Sequence, residues 1–242
     1  MTAGKDGLRI VHALPFFDPA THFGGPIAQL REICRGLAAR GHDIKVVTTE
    51  LGIGDTLPRE RWVERDGYRV WYSRVNRLGG IAPYYAPRVE RPLREALADA
   101  DALHLALSFT HLNIVARRVA RSLHVPYIYT PRSCLDPIRL RQRRLSKLVF
   151  LHLFERRIVR DAASIHALTE TEREQVLRQG ALSSQVIVIP NASELQAGTS
   201  WPDGALFRRR FDLPTDALVV LFLGRLHKIK GLDLLVRVFA EV

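Results

Sequence analysis

Cysteine is scarce: the 242 residues hold two, Cys34 and Cys134, along with a single methionine. Two thiols so far apart in sequence offer no metal-ligand spacing and argue against a structural disulfide. Long apolar runs are missing as well. The longest, ALVVLFL (217–223) and LVFLHLF (148–154), fall short of the roughly 18 to 20 residues a membrane span needs. The amino end passes from a few polar residues straight into an apolar run, without the pattern of a secretory signal, so a cytoplasmic protein is expected. The sequence shows no Ser/His/Asp set, no carboxylate pair at hydrolase spacing and no His/Cys cluster. Neither a metal nor another cofactor is therefore expected. His12 and His104 fall in apolar, strand-like runs, where satisfied core histidines are common. Internal repeats and low-complexity tracts are absent.

What is present is an ordinary globular composition, 47% hydrophobic and 25% charged, with an unusual surplus of cations. Thirty-six Lys and Arg stand against 25 Asp and Glu, for a net charge of +11. Such a surplus favours anionic partners: nucleic acid, anionic lipid or phosphorylated substrates. No nucleic-acid-binding module is recognisable, so nucleic acid is not expected.

Short apolar runs alternate with helical stretches along most of the chain. LRIVHAL (8–14), DIKVVTT (43–49), YRVWYSR (68–74), ALHLAL (102–107), PYIYT (126–130), SIHAL (164–168) and QVIVIP (185–190) read as strands. Between them, apolar residues at Ile27, Leu30, Cys34, Leu37 and Ala38 mark one helix face, closed by Gly41. Further helices are predicted over about 87–99, 111–123, 143–161 and 170–180. Strands apolar on both faces, separated by helices, argue for an α/β fold with a parallel sheet covered by helices. The pattern lapses over 191–202, read as a linker. Beyond it, GALFRRRFDL (204–213) reads as a helix, 217–223 as a strand and 231–242 as a second helix. The expected organisation is a domain over 1–190, the linker, and an incomplete second domain over 203–242.

Four places carry candidate chemistry. Gly24, Gly25 and Pro26 join the first strand to the first helix, where an open α/β sheet gathers ligands and a helix amino end attracts phosphate, although a lone Gly–Gly is also an ordinary turn. GRLHKIKG (224–231) sets Arg225, His227, Lys228 and Lys230 between a strand and a helix start, which suits a diphosphate or a solvated basic loop. TPRSCLDP (130–137) follows a strand's carboxyl end and offers Arg132 to a ligand or to a structural salt bridge. Finally, Arg139, Arg141, Arg143, Arg144, Lys147, Arg156, Arg157 and Arg160 interleave with Leu145, Leu148, Phe150, Leu151 and Phe154. Such a basic amphipathic stretch is either a solvated face or a surface for anionic membrane. YYAPRVERPLREAL (84–97) has the same character.

Taken together these stretches resemble retaining glycosyltransferases of the GT-B fold, the glycogen-synthase-like group called family 4. The resemblance runs through nearly the whole chain: the Gly–Gly loop with L…L..RGHDIKVVT, VPYIYTPRSCLDP…LRQ, LFERRIVRDAASIHALTETEREQV, VIVIPN and LFLGRLHKIKGLDLL. The last is the most specific, because GRL…KG.D.L opens the donor-binding domain of that family. The resemblance implies a Rossmann-like, acceptor-binding first domain and the beginning of a Rossmann-like donor domain. It implies transfer of a sugar from a nucleotide-sugar to a glycan or lipid-linked acceptor in polysaccharide or cell-envelope synthesis.

By the same resemblance, Arg225 and Lys230 hold the donor's diphosphate and Arg132 joins them as a catalytic group. Gly24, Gly25, Pro26, Glu170 and Asn191 face the substrates. No metal is required if the two basic residues supply the charge. Arg132 stands where members commonly carry His, in PRS for PHG; Arg donates hydrogen bonds but cannot accept them, which points to an acidic or phosphorylated ligand. Asn191–Ala192 replaces Asn–Gly. The Glu-x7-Glu element and the helix that crosses back over the first domain are absent. The remaining expectations are either a truncated or split gene product or a donor domain supplied by another chain, little turnover by this chain alone, and a peripheral place at the inner membrane face. A non-catalytic, membrane-docked acceptor subunit is the alternative.

Overall fold

The computed structural model describes residues 7–55, 57–78, 82–141, 144–192, 203–224, 226 and 230–241. The predicted alternation is realised in it as one eight-stranded sheet. In chain order the elements are β1 (Arg9–Ala13), α1 (Gly25–Ala38), β2 (Asp43–Thr49), β3 (Trp62–Arg65), β4 (Tyr68–Ser73), β5 (Asn76–Leu78), β6 (Ala82–Tyr85), α2 (Glu90–Leu97), β7 (Ala102–Ala106) and α3 (His111–Ser122). Then follow β8 (Tyr127–Thr130), α4 (Pro137–Arg141), α5 (Arg144–Phe150), a π turn (Leu151–Glu155), α6 (Arg156–Asp161), β9 (Ser164–Ala167), α7 (Glu170–Arg178) and β10 (Val186–Val188). The chain divides into two compact units, Met1–Ser193 and Glu194–Val242.

The strand order is β10-β9-β8-β7-β1-β2-β4-β3, with every pairing parallel except β3 against β4. Burial follows from the period of two. Val11 and Ala13 of β1 point to one face, with Leu103 and Leu105 of β7, and meet Leu93 and Leu97 of α2, Leu112 and Val119 of α3, and Ile158 of α6. Leu14 points to the other face, where Ile44 and Val46 of β2 and Tyr68, Val70 and Tyr72 of β4 meet Leu30 and Cys34 of α1.

Two departures from the sequence reading stand out. The edge strand β3 and the small β5–β6 hairpin were not predicted. In β3–β4 the register pairs Arg65 with Tyr68, leaving Asp66 and Gly67 as a two-residue turn, both at positive φ (40° and 84°). That is the Asp–Gly signature of a tight hairpin. The second departure is a correction: the predicted strand over 217–223 does not form, and its backbone is irregular. A strand exists through its ladder, and none of the described residues pairs with this segment. Leu218 and Leu223 stand 86% and 91% exposed. The second unit is described by α8 (Gly204–Arg210) and α9 (Leu232–Phe239), neither of which contains a buried residue.

Candidate functional site

Sheet topology locates the site before any side chain is considered. From β1 the chain moves outward through β2 to β4; from β7 it moves the opposite way through β8, β9 and β10. The neighbours β1 and β7 therefore flank the point where the winding reverses, and a crevice opens outside their carboxyl ends. Three loops converge there.

The first follows β1. Gly24 caps α1 with φ 110° and ψ −170°, a conformation costly for a side chain, and Gly25 and Pro26 begin the helix. A Cβ built on Gly25 would meet nothing within 4 Å, so there is open space beside this helix start. Pro26 has no N–H, and the N–H groups of Gly24 and Ile27 are held by the Thr21 and Gly24 carbonyls at 2.9 and 3.2 Å, which leaves the Gly25 N–H.

The second follows β7, where Leu107 and Phe109 both lie at positive φ, 69° and 62°. Such backbone persists only when its surroundings hold it. Asn113 Nδ2 donates to the Leu107 carbonyl at 2.7 Å. The carboxylate of Glu155, inside the π turn and fully buried, accepts from the Phe109 N–H at 3.2 Å and from the Tyr129 hydroxyl. Burial pushes the Glu155 carboxyl above its ordinary value, against the pull of these donors.

The third follows β8 and carries Arg132 and Ser133, again both at positive φ, 52° and 58°. Glu172 of α7, itself buried, accepts from the Ser133 N–H, and from the Leu168 N–H at 2.6 Å. Arg132 is 5% exposed, and its guanidinium Nη1 donates to Oε1 of Gln29, one turn into α1. The Arg132 Nε–H is buried without a partner. Burial lowers the Arg132 pKa, while Glu172 works to raise it.

Beneath Arg132, polar side chains cross the sheet in a row. His12 of β1 and His104 of β7 meet Nδ1 to Nδ1 at 2.9 Å, and His104 Nε2 lies 2.8 Å from the Thr130 hydroxyl of β8. Thr130 lies 3.5 Å from Nδ1 of His166 on β9, whose Nε2 lies 2.8 Å from the Ile189 carbonyl. Burial, and then the charge of Arg132, lowers the His12 pKa to about 4; burial drives His104 well down too. Both rings are neutral at neutral pH. A wider cleft of about 620 Å³ opens at the carboxyl ends of β2 and β4, but its Arg59 is already held by Glu50 and Asp55.

The structure thus brings Gly24, Gly25, Pro26 and Arg132 together. Glu170 lies in the first turn of α7 but is exposed, 3.9 Å from Arg173. Asn191 is exposed beyond β10, and Lys230 is exposed in the second unit. Arg225, His227 and Lys228 lie outside the described residues. Gln29, Glu155, Glu172 and the histidine row were not foreseen. Only Glu172 had a local signal, since Thr169-x-x-Glu172 is a capping-box spacing, and Thr169 does accept from the Glu172 N–H at 3.1 Å. Among the described residues no group of three or more His, Cys, Asp and Glu could hold a metal ion. What the site offers is one buried, permanently cationic donor beside a helix amino end, an arrangement suited to an anion.

A family model described as "Glycosyl transferase 4-like domain" matches residues 24–192. A D-inositol 3-phosphate glycosyltransferase of Kineococcus radiotolerans is 27% identical over 96% of this chain and 55% of that protein. A protein of the same name from Acidothermus cellulolyticus is 42% identical over 30% of this chain and 16% of its own length. The chain spans about half the length of the first of these relatives. Among solved structures, Anabaena Alr3699/HepE in complex with UDP and glucose has a TM-score of 0.69 at 18% identity, covering 97% of this chain and 58% of that one. Its complex with UDP-glucose gives 0.67 at 19% identity, covering 97% and 57%. The likeness shows a shared GT-B, Rossmann-like fold.

Proposed function

We propose a function from one premise: the chain belongs to the glycosyl transferase 4-like domain family. On that premise it is the acceptor-side part of a GT-B glycosyltransferase that takes a sugar from a nucleotide-sugar. The acceptor is a phosphorylated polyol or a lipid-linked glycan of the cell envelope. The observation that carries this reading is Arg132, buried at the reversal point of the sheet and bonded to the first turns of α1. A guanidinium cannot lose its charge, and its fork matches a phosphate's oxygens. Gly24, Gly25 and Pro26 open the helix whose positive amino end faces the same anion, with the Gly25 N–H as the donor among them, and the related inositol 3-phosphate enzymes support a phosphate on the acceptor.

In the transfer, the anomeric C–O bond to the diphosphate breaks as the acceptor hydroxyl forms the new bond on the same face, with retention. The hydroxyl proton passes to the departing phosphate oxygen. Arg225 and Lys230 neutralise the charge that develops on the diphosphate, with no metal required. Glu170 and Asn191 contact the substrates. By itself the chain is expected to bind ligands and turn over little.

Calorimetric titration with D-inositol 3-phosphate and with unphosphorylated inositol tests the acceptor side. Tighter binding of the phosphorylated form is expected, weakened roughly tenfold to a hundredfold by Arg132→Ala. Equal, weak binding of both polyols, unchanged in Arg132→Ala, would refute the acceptor reading. Donor binding is followed with UDP-glucose and the Arg225→Ala/Lys230→Ala variant.

A further inference from the structure

The outward surface of the segment from α4 to α6 is unlike the rest of the first unit. Leu145, Val149 and Leu153, spaced at i, i+4 and i+8, are 81%, 59% and 49% exposed, and Ile138 of α4 is exposed beside them in sequence. Spacing of four along a helix lays side chains on one stripe. Three large aliphatic groups aligned in water are costly, because each forgoes burial that an apolar partner would provide.

Cations accompany the stripe. Arg141, Arg157 and Arg160 are exposed, and none has an ion-pair partner among the described residues. Of the two acids of this stretch, Glu155 is turned inward and fully buried beneath the Phe109 loop, and Asp161 is engaged by Arg117 and Arg121. The π turn that carries it re-phases the helix, so the outward face changes from aliphatic in α5 to cationic in α6.

A cleft of about 170 Å³ adjoins α6, with Ile114, Phe154 and Ile158 as its apolar floor and Arg117, Arg118 and Arg157 around it. Arg117 is engaged by Asp161 and Arg118 by Glu90, while Arg157 is uncommitted. An apolar floor with a cationic rim matches a lipid, whose phosphate and acyl chain need both. No helix among the described residues is long and apolar enough to cross a membrane. The chemistry is that of lying on a bilayer, with aliphatic side chains in the acyl boundary and arginines at the phosphates.

We infer that the α4–α6 surface docks onto an anionic phospholipid bilayer, inserting Leu145, Val149 and Leu153 and placing Arg141, Arg157 and Arg160 at the headgroups. This goes beyond the sugar-transfer reading and is independent of it, since docking requires neither donor nor acceptor.

The test is co-sedimentation of the full chain with vesicles of phosphatidylcholine, with and without phosphatidylglycerol. Binding is expected to the anionic vesicles, to weaken as salt rises, and to be slight on phosphatidylcholine alone. The Leu145→Glu/Val149→Glu variant, altered only at exposed positions, should bind at least about tenfold more weakly with an unchanged melting transition. The second unit also exposes aliphatic side chains, and the variant keeps them. Binding undiminished in the variant would therefore overturn the proposal, as would indifference of the unaltered chain to phosphatidylglycerol. Removal of the stripe effect on gel filtration, with a dimer that becomes a monomer in the variant and no vesicle binding, would assign the surface to a second copy and equally overturn it. Ligand titrations in the absence of vesicles keep a failure here separate from a failure of the sugar-transfer reading.

Discussion

At the residue scale, the site is built by buried groups acting on backbone. Arg132 was legible in the sequence because it follows a strand's carboxyl end in a Pro-flanked loop. Its support was not. Gln29 and Glu172 reach it from helices 103 and 40 positions away in number (132 − 29 and 172 − 132), and nothing local announces such a meeting. Glu170 illustrates the difficulty, for it lies two residues from Glu172 on the same helical turn, yet solvates itself while its neighbour holds the Arg132–Ser133 turn. The histidine row has a measurable consequence. A His whose folded pKa is depressed from 6.5 to about 4 makes the unfolded chain bind more protons between those values. Its contribution is constant above about pH 6.5 and is lost as pH falls toward 4, on the order of 3 kcal/mol over the window. Urea unfolding at pH 7 and pH 5 should show this loss, and His12→Gln should flatten it. An equal pH dependence in the variant would show that His12 titrates normally.

At the element scale, period and turn chemistry explain most of what the sequence revealed. The strands β1, β2, β4, β7, β8, β9 and β10 were legible because each is a short apolar run between helical stretches. The edge strand β3 was not, because Trp62–Arg65 has only two apolar residues, adjacent rather than alternating, and none is fully buried, although Asp66–Gly67 gave a usable hairpin signal. The segment 217–223 misled for the opposite reason, since apolar content alone cannot supply a ladder. The start of α1 allows a paired prediction. Gly24→Ala places a side chain at φ 110° and should cost about 1–2 kcal/mol. Gly25→Ala meets no neighbour within 4 Å and should leave the melting temperature unchanged while weakening ligand binding at the helix start. Thermal melts of both variants, with titration of inositol 3-phosphate, check the pair; equal destabilisation would contradict the geometry.

At the scale of the whole molecule, the two units differ in how they are held. The first has a contiguous core on each sheet face. In the second, α8 and α9 bury nothing, so their hydrogen bonds open against little resistance. Hydrogen exchange followed by NMR should find amides of β1, β7 and β8 strongly protected and those of α8 and α9 near the unprotected rate. Protection in α9 comparable to that of β1 would be incompatible with the burial seen here.

The row beneath Arg132 also has a grain. The Ile189 carbonyl can only receive a hydrogen, so Nε2 of His166 must carry one. Where the Thr130 hydroxyl donates to Nδ1 of His166, its own oxygen accepts the Nε2 hydrogen of the neutral His104. The lone pair on His104 Nδ1 then takes the hydrogen of His12 Nδ1. In that arrangement the row carries one direction from the Ile189 carbonyl to a ring four strands away, and the His12 Nε2 is left bare where the sheet reverses its winding.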